Sequence, residues 1–255
     1  MKIAVVLRQV PDVVEELVIS DDGRSLSEDD VMYLTNEADD HALEEALVLK
    51  ARAGAQVTAV SAGGDEAKEA LATAVAKGAD EAIHVAVPFE HRGDNARLAS
   101  VISPMMKSAG YDLILTGVWA ADQMDAGLAG GLATQLSLPY VGGLVSMSLD
   151  PNGAHAVVRK EFPGGRLGVL EVSLPAVFGI QSAEQPPRYV PVSKVLAAKK
   201  ALRVREQGEP PAVAAGVRAS KLVKSGSEAK AEMLPGAVPQ VAEAIVRILR
   251  ERGIA

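Results

Sequence analysis

At 255 residues the chain is 48% hydrophobic but only 3% aromatic, holds no cysteine and carries a formal net charge of −7. That length accommodates one large domain or a domain with an appendage, and the acidic balance speaks against nucleic acid as a general partner. The absence of cysteine excludes disulfides, Fe–S clusters, zinc–thiolate sites and thiol chemistry, and a core short of rings must be built from Val, Leu, Ile and Ala.

Residues 2–7 (KIAVVL) form a β-branched run that reads as a buried strand, and MKIAVVLRQVPD lacks the cleavage site of a signal peptide. Residues 13–26 alternate and turn at Asp22-Gly23 in the manner of a hairpin. A helix follows in NEADDHALEEALVLKARAG, with Leu43, Ala46, Leu47 and Lys50 at helical spacing and Gly54 as its stop. AQVTAVSAGG reads as a second strand, DEAKEALATAVAKGAD as a second helix ended by Gly78, and EAIHVAVP as a third strand. NARLASVISPMMKSAG reads as a third helix despite Pro104, and YDLILTG as a fourth strand. This alternation predicts an α/β fold with a doubly wound, mostly parallel sheet.

After residue 140 the pattern changes. Three alternating strands, broken at Asn152-Gly153 and Pro163-Gly164-Gly165, predict an antiparallel meander through to Ile180. Pro186, Pro187 and Pro191 then lead into a basic segment, KVLAAKKALRVRE. From Gln207 to about Pro239 the composition turns to Pro, Gly, Ala, Ser and Lys and predicts an extended arm. The arm ends in an amphipathic helix, VPQVAEAIVRILRERG, with Val241, Ile245, Ile248 and Leu249 on one face. The expected organisation is a domain over 1–205 and an arm with a docking helix over 206–255. No apolar stretch is long enough to span a bilayer, so no membrane insertion and a cytoplasmic location are expected.

Ligands of parallel α/β sheets sit beyond the carboxyl ends of the strands, where helix N-termini point. Three such ends bear glycine or aspartate: Gln9 to Asp12, Ser61 to Gly64, and Thr116-Gly117 with the glycine-rich stretch that follows. Gly63 and Gly64 suit a plain strand-to-helix turn equally well. The stretch 116–139 matches neither a P-loop nor GxGxxG. Within it Asp122 reads as the N-cap of the next helix and Asp125 as a first-turn acid. Gly127, Gly130 and Gly131 allow a close approach either to a phosphate or to the sheet. His41, His84, His91 and His155 show no ligand or triad spacing, so no metal and no catalytic residue are expected, and His84 reads as structural. Trp119 suits stacking on a flat ring and ordinary packing alike. The Lys/Arg cluster 188–205 is either a solvated face or a guide for an acidic partner.

Several segments together resemble the β (small) subunit of electron-transfer flavoproteins, towards the nitrogen-fixation-associated and bifurcating branch. They are MKIAVVLRQVPD, NEADDHALEEALVLK (with Glu37 where the family usually has Pro), VTAVSAGGDEAKEALATAVAKGADEAIHV, DLILTGVWAADQMDAGLAGGLATQLSLP, VVRKEFPGGRLGVLEVSLPAVFGI and QPPRYVPVSKVLAAKK. The resemblance runs from residue 1 to about residue 200. It implies an adenine-nucleotide-binding, Rossmann-like domain whose C-terminal arm wraps an α subunit. It further implies FAD held mainly by the α subunit, and AMP or a second FAD in the β-subunit pocket. Electrons then pass from flavin dehydrogenases to an acceptor.

Residue by residue, the resemblance places Val5, Leu7 and Val10 near the adenosine and Ser61, Ala62 and Gly63 under the adenine. Beyond Gly117 it places Asp122 and the backbone of Gln123, Met124, Asp125, Ala126, Gly127 and Leu128 at the phosphates. Tyr189, Val192, Lys199 and Lys200 fall in the loop that recognises partner dehydrogenases, and Arg8 falls near the flavin interface. Trp119 and Met124 replace a Gln and an Asp of the family, which leaves backbone N–H groups and the helix dipole to hold phosphates. A flavin shuttle needs no acid–base residue from this chain, because the chemistry belongs to the isoalloxazine. A stand-alone adenine-nucleotide-binding protein of the universal-stress-like type accounts for the α/β half but not for the meander or the arm. A structural subunit with an empty pocket is a third reading.

Overall fold

The computed structural model describes all residues except 124, 151, 203, 208–218, 225–230 and 255, so much of the expected arm lies outside the described residues. The first compact unit, Met1–Leu222, is built on a nine-stranded sheet. In chain order its elements are β1 (Lys2–Leu7), β2 (Gln9–Pro11), β3 (Tyr33–Thr35), α1 (Glu37–Ala53), β4 (Gln56–Gly63), α2 (Asp65–Lys77) and β5 (Glu81–Ala86). There follow α3 (Asn95–Ala109), β6 (Leu113–Gly117), α4 (Gly127–Leu136), β7 (Tyr140–Leu149), β8 (His155–Phe162), β9 (Arg166–Ser173), β10 (Ala176–Ile180), α5 (Val192–Ala201) and β11 (Val204–Gln207). The sheet order is β11-β5-β4-β1-β6-β10-β7-β8-β9, with β2 and β3 forming a separate antiparallel pair. Pairing is parallel from β11 to β7 and antiparallel from β7 to β9.

β1 shows why the sheet is two-sided. Successive side chains of a strand point to opposite faces, so Ile3, Val5 and Leu7 join one core layer with Leu43, Leu47 and Leu71, from α1 and α2. Ala4 and Val6 join the other with Leu98, Ile102, Leu128 and Leu132, from α3 and α4. A strand buried on both faces reads as a continuous apolar run, which is what KIAVVL is. The alternating βαβ pattern expected up to Gly117 is present, with Gly54 closing α1 in a left-handed conformation and Pro104 carried inside α3. The expected turn at Asp22-Gly23 is closed by an antiparallel bridge, Ile19 to Leu26, and by backbone hydrogen bonds from Ser20 to Ser25, Gly23 to Ser20 and Ser27 to Val18.

Three elements, β10, α5 and β11, go beyond the sequence expectation. Residues 140–180 hold four strands, and only β7, β8 and β9 form the antiparallel meander. The fourth, β10, returns to the centre and pairs in parallel with both β6 and β7. All five of its residues are buried, so an apolar pentamer (AVFGI) at the end of a meander was in fact a central strand. The basic segment forms helix α5, which has no buried residue, and the chain then adds β11 to the edge of the sheet beside β5. The second compact unit, Val223–Ala255, contains α6 (Val238–Glu251), whose Val238, Ile245 and Val246 are exposed. Among the described residues no helix is long and apolar enough to cross a membrane.

Helix α1 buries three acids, Asp39, Glu44 and Glu45, among its apolar residues. Desolvation raises the Glu45 carboxyl from 4.5 to about 6, and the Glu184 charge adds to it, while the Glu184 N–H and Arg52 oppose it. The folded value lies above the unfolded one, so the folded state holds the proton more tightly, and this group costs stability as pH rises from 4.5 to about 6. Glu45→Gln keeps an acceptor for the Glu184 N–H and removes the buried charge. Urea unfolding should show it more stable than the parent by about 1–2 kcal/mol at neutral pH. That gain should vanish below the unfolded value; an equal gain at all pH values would mean that the charge is not its source.

Candidate functional site

The strand order reverses at β1: β4 and β5 lie to one side, β6 and β10 to the other. Such a switch point leaves a crevice between strand ends, the usual ligand position in open α/β sheets. Here the two strand ends are clasped by one buried carboxylate. Asp39, in the first turn of α1 and fully buried, accepts from the Arg8 backbone N–H at 3.0 Å and from Arg8 Nε at 3.1 Å. Its other oxygen accepts from the Gly117 N–H at 2.6 Å. Asn36, just before α1, donates from Nδ2 to the Trp119 carbonyl at 2.8 Å, while its backbone N–H donates to the Arg8 carbonyl. Asn followed three places later by Asp reads as an ordinary helix start, and only the fold turns these side chains towards the ends of β1 and β6.

The crevice is lined by Arg8, Gln9, Ala62, Glu66, Arg92, Leu98, Asp122 and Gln123, and its open space is about 10 Å³, room for one water. Among the described residues, three that line it carry a buried polar atom without a partner: Gln9 Oε1 and, on residues more than nine-tenths buried, Arg8 Nη1, a charged donor, and Gln123 Oε1, an acceptor. Buried polar atoms without partners are costly and call for an explanation. Desolvation raises the Asp122 carboxyl from its ordinary value, opposed by its own backbone N–H and by Arg8, and Asp39 raises it further. Beside the crevice, across Arg92 and Glu66, lies an open cavity of about 840 Å³ at the ends of β4 and β5 and the start of α2.

The residues expected at a nucleotide divide into several groups. Val5 and Leu7 sit in the core layer against α1 and α2, and Val10 is buried in β2. Ser61 donates from its hydroxyl to the Leu7 carbonyl at 2.8 Å, tying β4 to β1, while Ala62 faces the crevice and Gly63 the larger cavity. Asp122 and Gln123 line the crevice; Met124 lies outside the described residues.

Asp122 is not the N-cap of α4. The loop continues to Ala126, which holds the capping position with φ 47°, a left-handed conformation that costs a non-glycine residue of order 1–2 kcal/mol. Asp125 does the capping work from one residue earlier, accepting from the Gly127 N–H at 3.0 Å and from Asn95 Nδ2. The Asp125 carboxylate thus accepts from one of the backbone N–H groups that the resemblance places at the phosphates. Leu128 is core, and Gly131 lets α4 lie against α3, where an added Cβ would come within 3.0 Å of Ala99. Of the small residues of α4, Ala129, Gly131 and Ala133 serve packing against the core.

His84 is buried with both ring nitrogens facing acceptors, Glu206 Oε2 at 2.7 Å and the Gly63 carbonyl at 3.0 Å, which joins β5, β11 and β4. The expected partner loop is presented outward: Tyr189 and Val192 are strongly exposed, Lys200 is exposed, and Lys199 pairs with Glu69. Its approach is anchored by α1. Glu44 takes a bidentate pair from Arg188, at 2.8 and 2.7 Å, and also the Arg188 N–H. Against the desolvation that burial imposes, these bonds hold the Glu44 carboxyl below its ordinary value.

Fold and crevice together define a doubly wound α/β protein of Rossmann-like type with a polar switch-point site. The family model of the electron transfer flavoprotein domain matches residues 25–216. The chain is 30% identical over 264 residues to the electron transfer flavoprotein subunit beta of Methylophilus methylotrophus, covering 98% of both chains. It is 34% identical over 198 residues to that of Clostridium acetobutylicum, covering 78% of this chain and 75% of the other. It is 30% identical over 201 residues to that of Bacillus subtilis, covering 78% and 76%. The chain belongs to the electron transfer flavoprotein family, and these relatives are its β subunits.

Proposed function

We propose that this chain is the β subunit of a cytoplasmic, heterodimeric electron-transfer flavoprotein that carries electrons from flavin dehydrogenases to an acceptor. In this reading it encloses the FAD of an α subunit and holds an adenine nucleotide, AMP or a second FAD, at the switch-point crevice. The FAD supplies the electron-carrying ring; this chain binds, orients and excludes water. The observation that carries the nucleotide assignment is the pair of buried, unpartnered atoms, Arg8 Nη1 and Gln123 Oε1, a donor and an acceptor suited to a phosphate or ribose oxygen and an amino group. Ala62 offers a small contact surface beside them. Exposed Tyr189 and Val192, on a segment anchored by Arg188 to Glu44, suit the docking of a dehydrogenase.

A second reading rests on the small space in the crevice, since small-molecule sites hold roughly 300–1,000 Å³: a subunit whose pocket stays empty. Mass spectrometry of the small molecules released when the α–β complex is denatured separates the two. AMP or excess FAD supports the first, and their absence supports the second.

A further inference from the structure

Arg92 and Glu66 line both the narrow crevice and the 840 Å³ cavity outside it, so these two side chains are the wall between them. Arg92 is held on every side. Its Nη1 lies 3.0 Å from Glu66, its Nη2 3.5 Å from Glu28, its Nε donates to the Val87 carbonyl at 3.2 Å, and its guanidinium stands 5.3 Å over the Phe89 ring. It also lies close to Gly64, where an added Cβ would meet Nη2 at 2.5 Å. Gln123, a crevice residue whose Oε1 is unpartnered, donates from Nε2 to the Arg92 carbonyl at 3.2 Å. The wall is therefore an ion pair attached to the binding side chains themselves, and the pair is not sealed from water: Arg92 and Glu66 side chains are 20% and 19% exposed.

We infer that Arg92 is the gate of the crevice: closed, it pairs with Glu66 and Glu28; open, it exchanges those carboxylates for the phosphate of an incoming nucleotide. This rests on the nucleotide reading given above. Opening merges the cavity and the crevice into one site of adequate size, and the cavity is the entry path. Guanidinium suits the exchange, because it offers a planar fork to carboxylate and phosphate alike. The two carboxylates compete with the ligand for Arg92, so removing their charge and removing the arginine have opposite consequences.

The test is calorimetric titration of AMP, and of adenosine as the phosphate-free control, into the full chain and its variants. Arg92→Ala should weaken AMP by about tenfold or more, the loss of a charge-assisted contact, and leave adenosine nearly unchanged. Glu66→Gln, which keeps an acceptor for the Gly64 N–H, and Glu28→Gln should each tighten AMP. Unchanged AMP affinity in Arg92→Ala would overturn the gate while leaving the nucleotide site standing. Weakening by Glu66→Gln and Glu28→Gln as well would reduce Arg92 to a structural role and overturn it too. If neither the parent nor any variant binds AMP, the nucleotide reading fails and the gate falls with it.

Discussion

Asp39→Ala is expected to lower the unfolding free energy by about 3–5 kcal/mol, the range for breaking a buried ion pair by removing one partner. Asp39 is fully buried and Arg8 nearly so, and the carboxylate also satisfies the Arg8 and Gly117 backbone N–H groups. Its loss leaves a guanidinium and two N–H donors without acceptors at the sheet's switch point. Asp39→Asn should cost less, because one amide oxygen can still accept. Combining Asp39→Ala with Arg8→Met should recover part of the loss, since the stranded charge is then gone. Urea unfolding reads all four proteins; a loss below about 1 kcal/mol for Asp39→Ala would mean that the clasp is not what holds β1 to β6.

Phe178→Ala should cost about 3–5 kcal/mol, the range for truncating a buried ring. Phe178 is fully buried on β10, in the core layer that also contains Leu115 of β6 and Leu144 of β7. The sharp comparison is Phe162→Ala on β8, where the ring is 43% exposed and its loss should stay under about 1 kcal/mol. Each loss is to be measured from the midpoint and slope of the denaturation curve. If Phe178→Ala behaved like Phe162→Ala, β10 would not be a central strand.

These two residues also mark the limits of what the sequence discloses. The strands and helices up to Gly117 are legible because their two periods, and glycine stops such as Gly54 and Gly78, agree with one another. β10 is not legible as a central strand, since an apolar pentamer after a meander carries no mark of which neighbours it will pair with. α5 buries nothing, so its segment carries no apolar stripe that marks a helix, and its basic residues read as a solvated face or a guide for a partner. At the site, the ends at Ser61–Gly63 and Gly117 were legible from glycine and strand endings. Asp39 was not, because an acid in a first helical turn already has an ordinary explanation, the helix dipole. A loop aspartate before small residues likewise looks like a cap, so Asp122 reads as one, whereas the backbone course puts Asp125 in that role. Arg92 and Glu66 lie on separate elements, and only the parallel packing of β4 and β5 brings them face to face.

The decisive measurement is the visible absorption spectrum of this chain co-expressed and co-purified with its α subunit. A heterodimer with bound FAD absorbs as an oxidised flavin and bleaches on reduction by a dehydrogenase, and that is the result expected. A complex without flavin absorption, or a chain that forms no complex with the α subunit, would contradict its assignment as an electron-carrying β subunit.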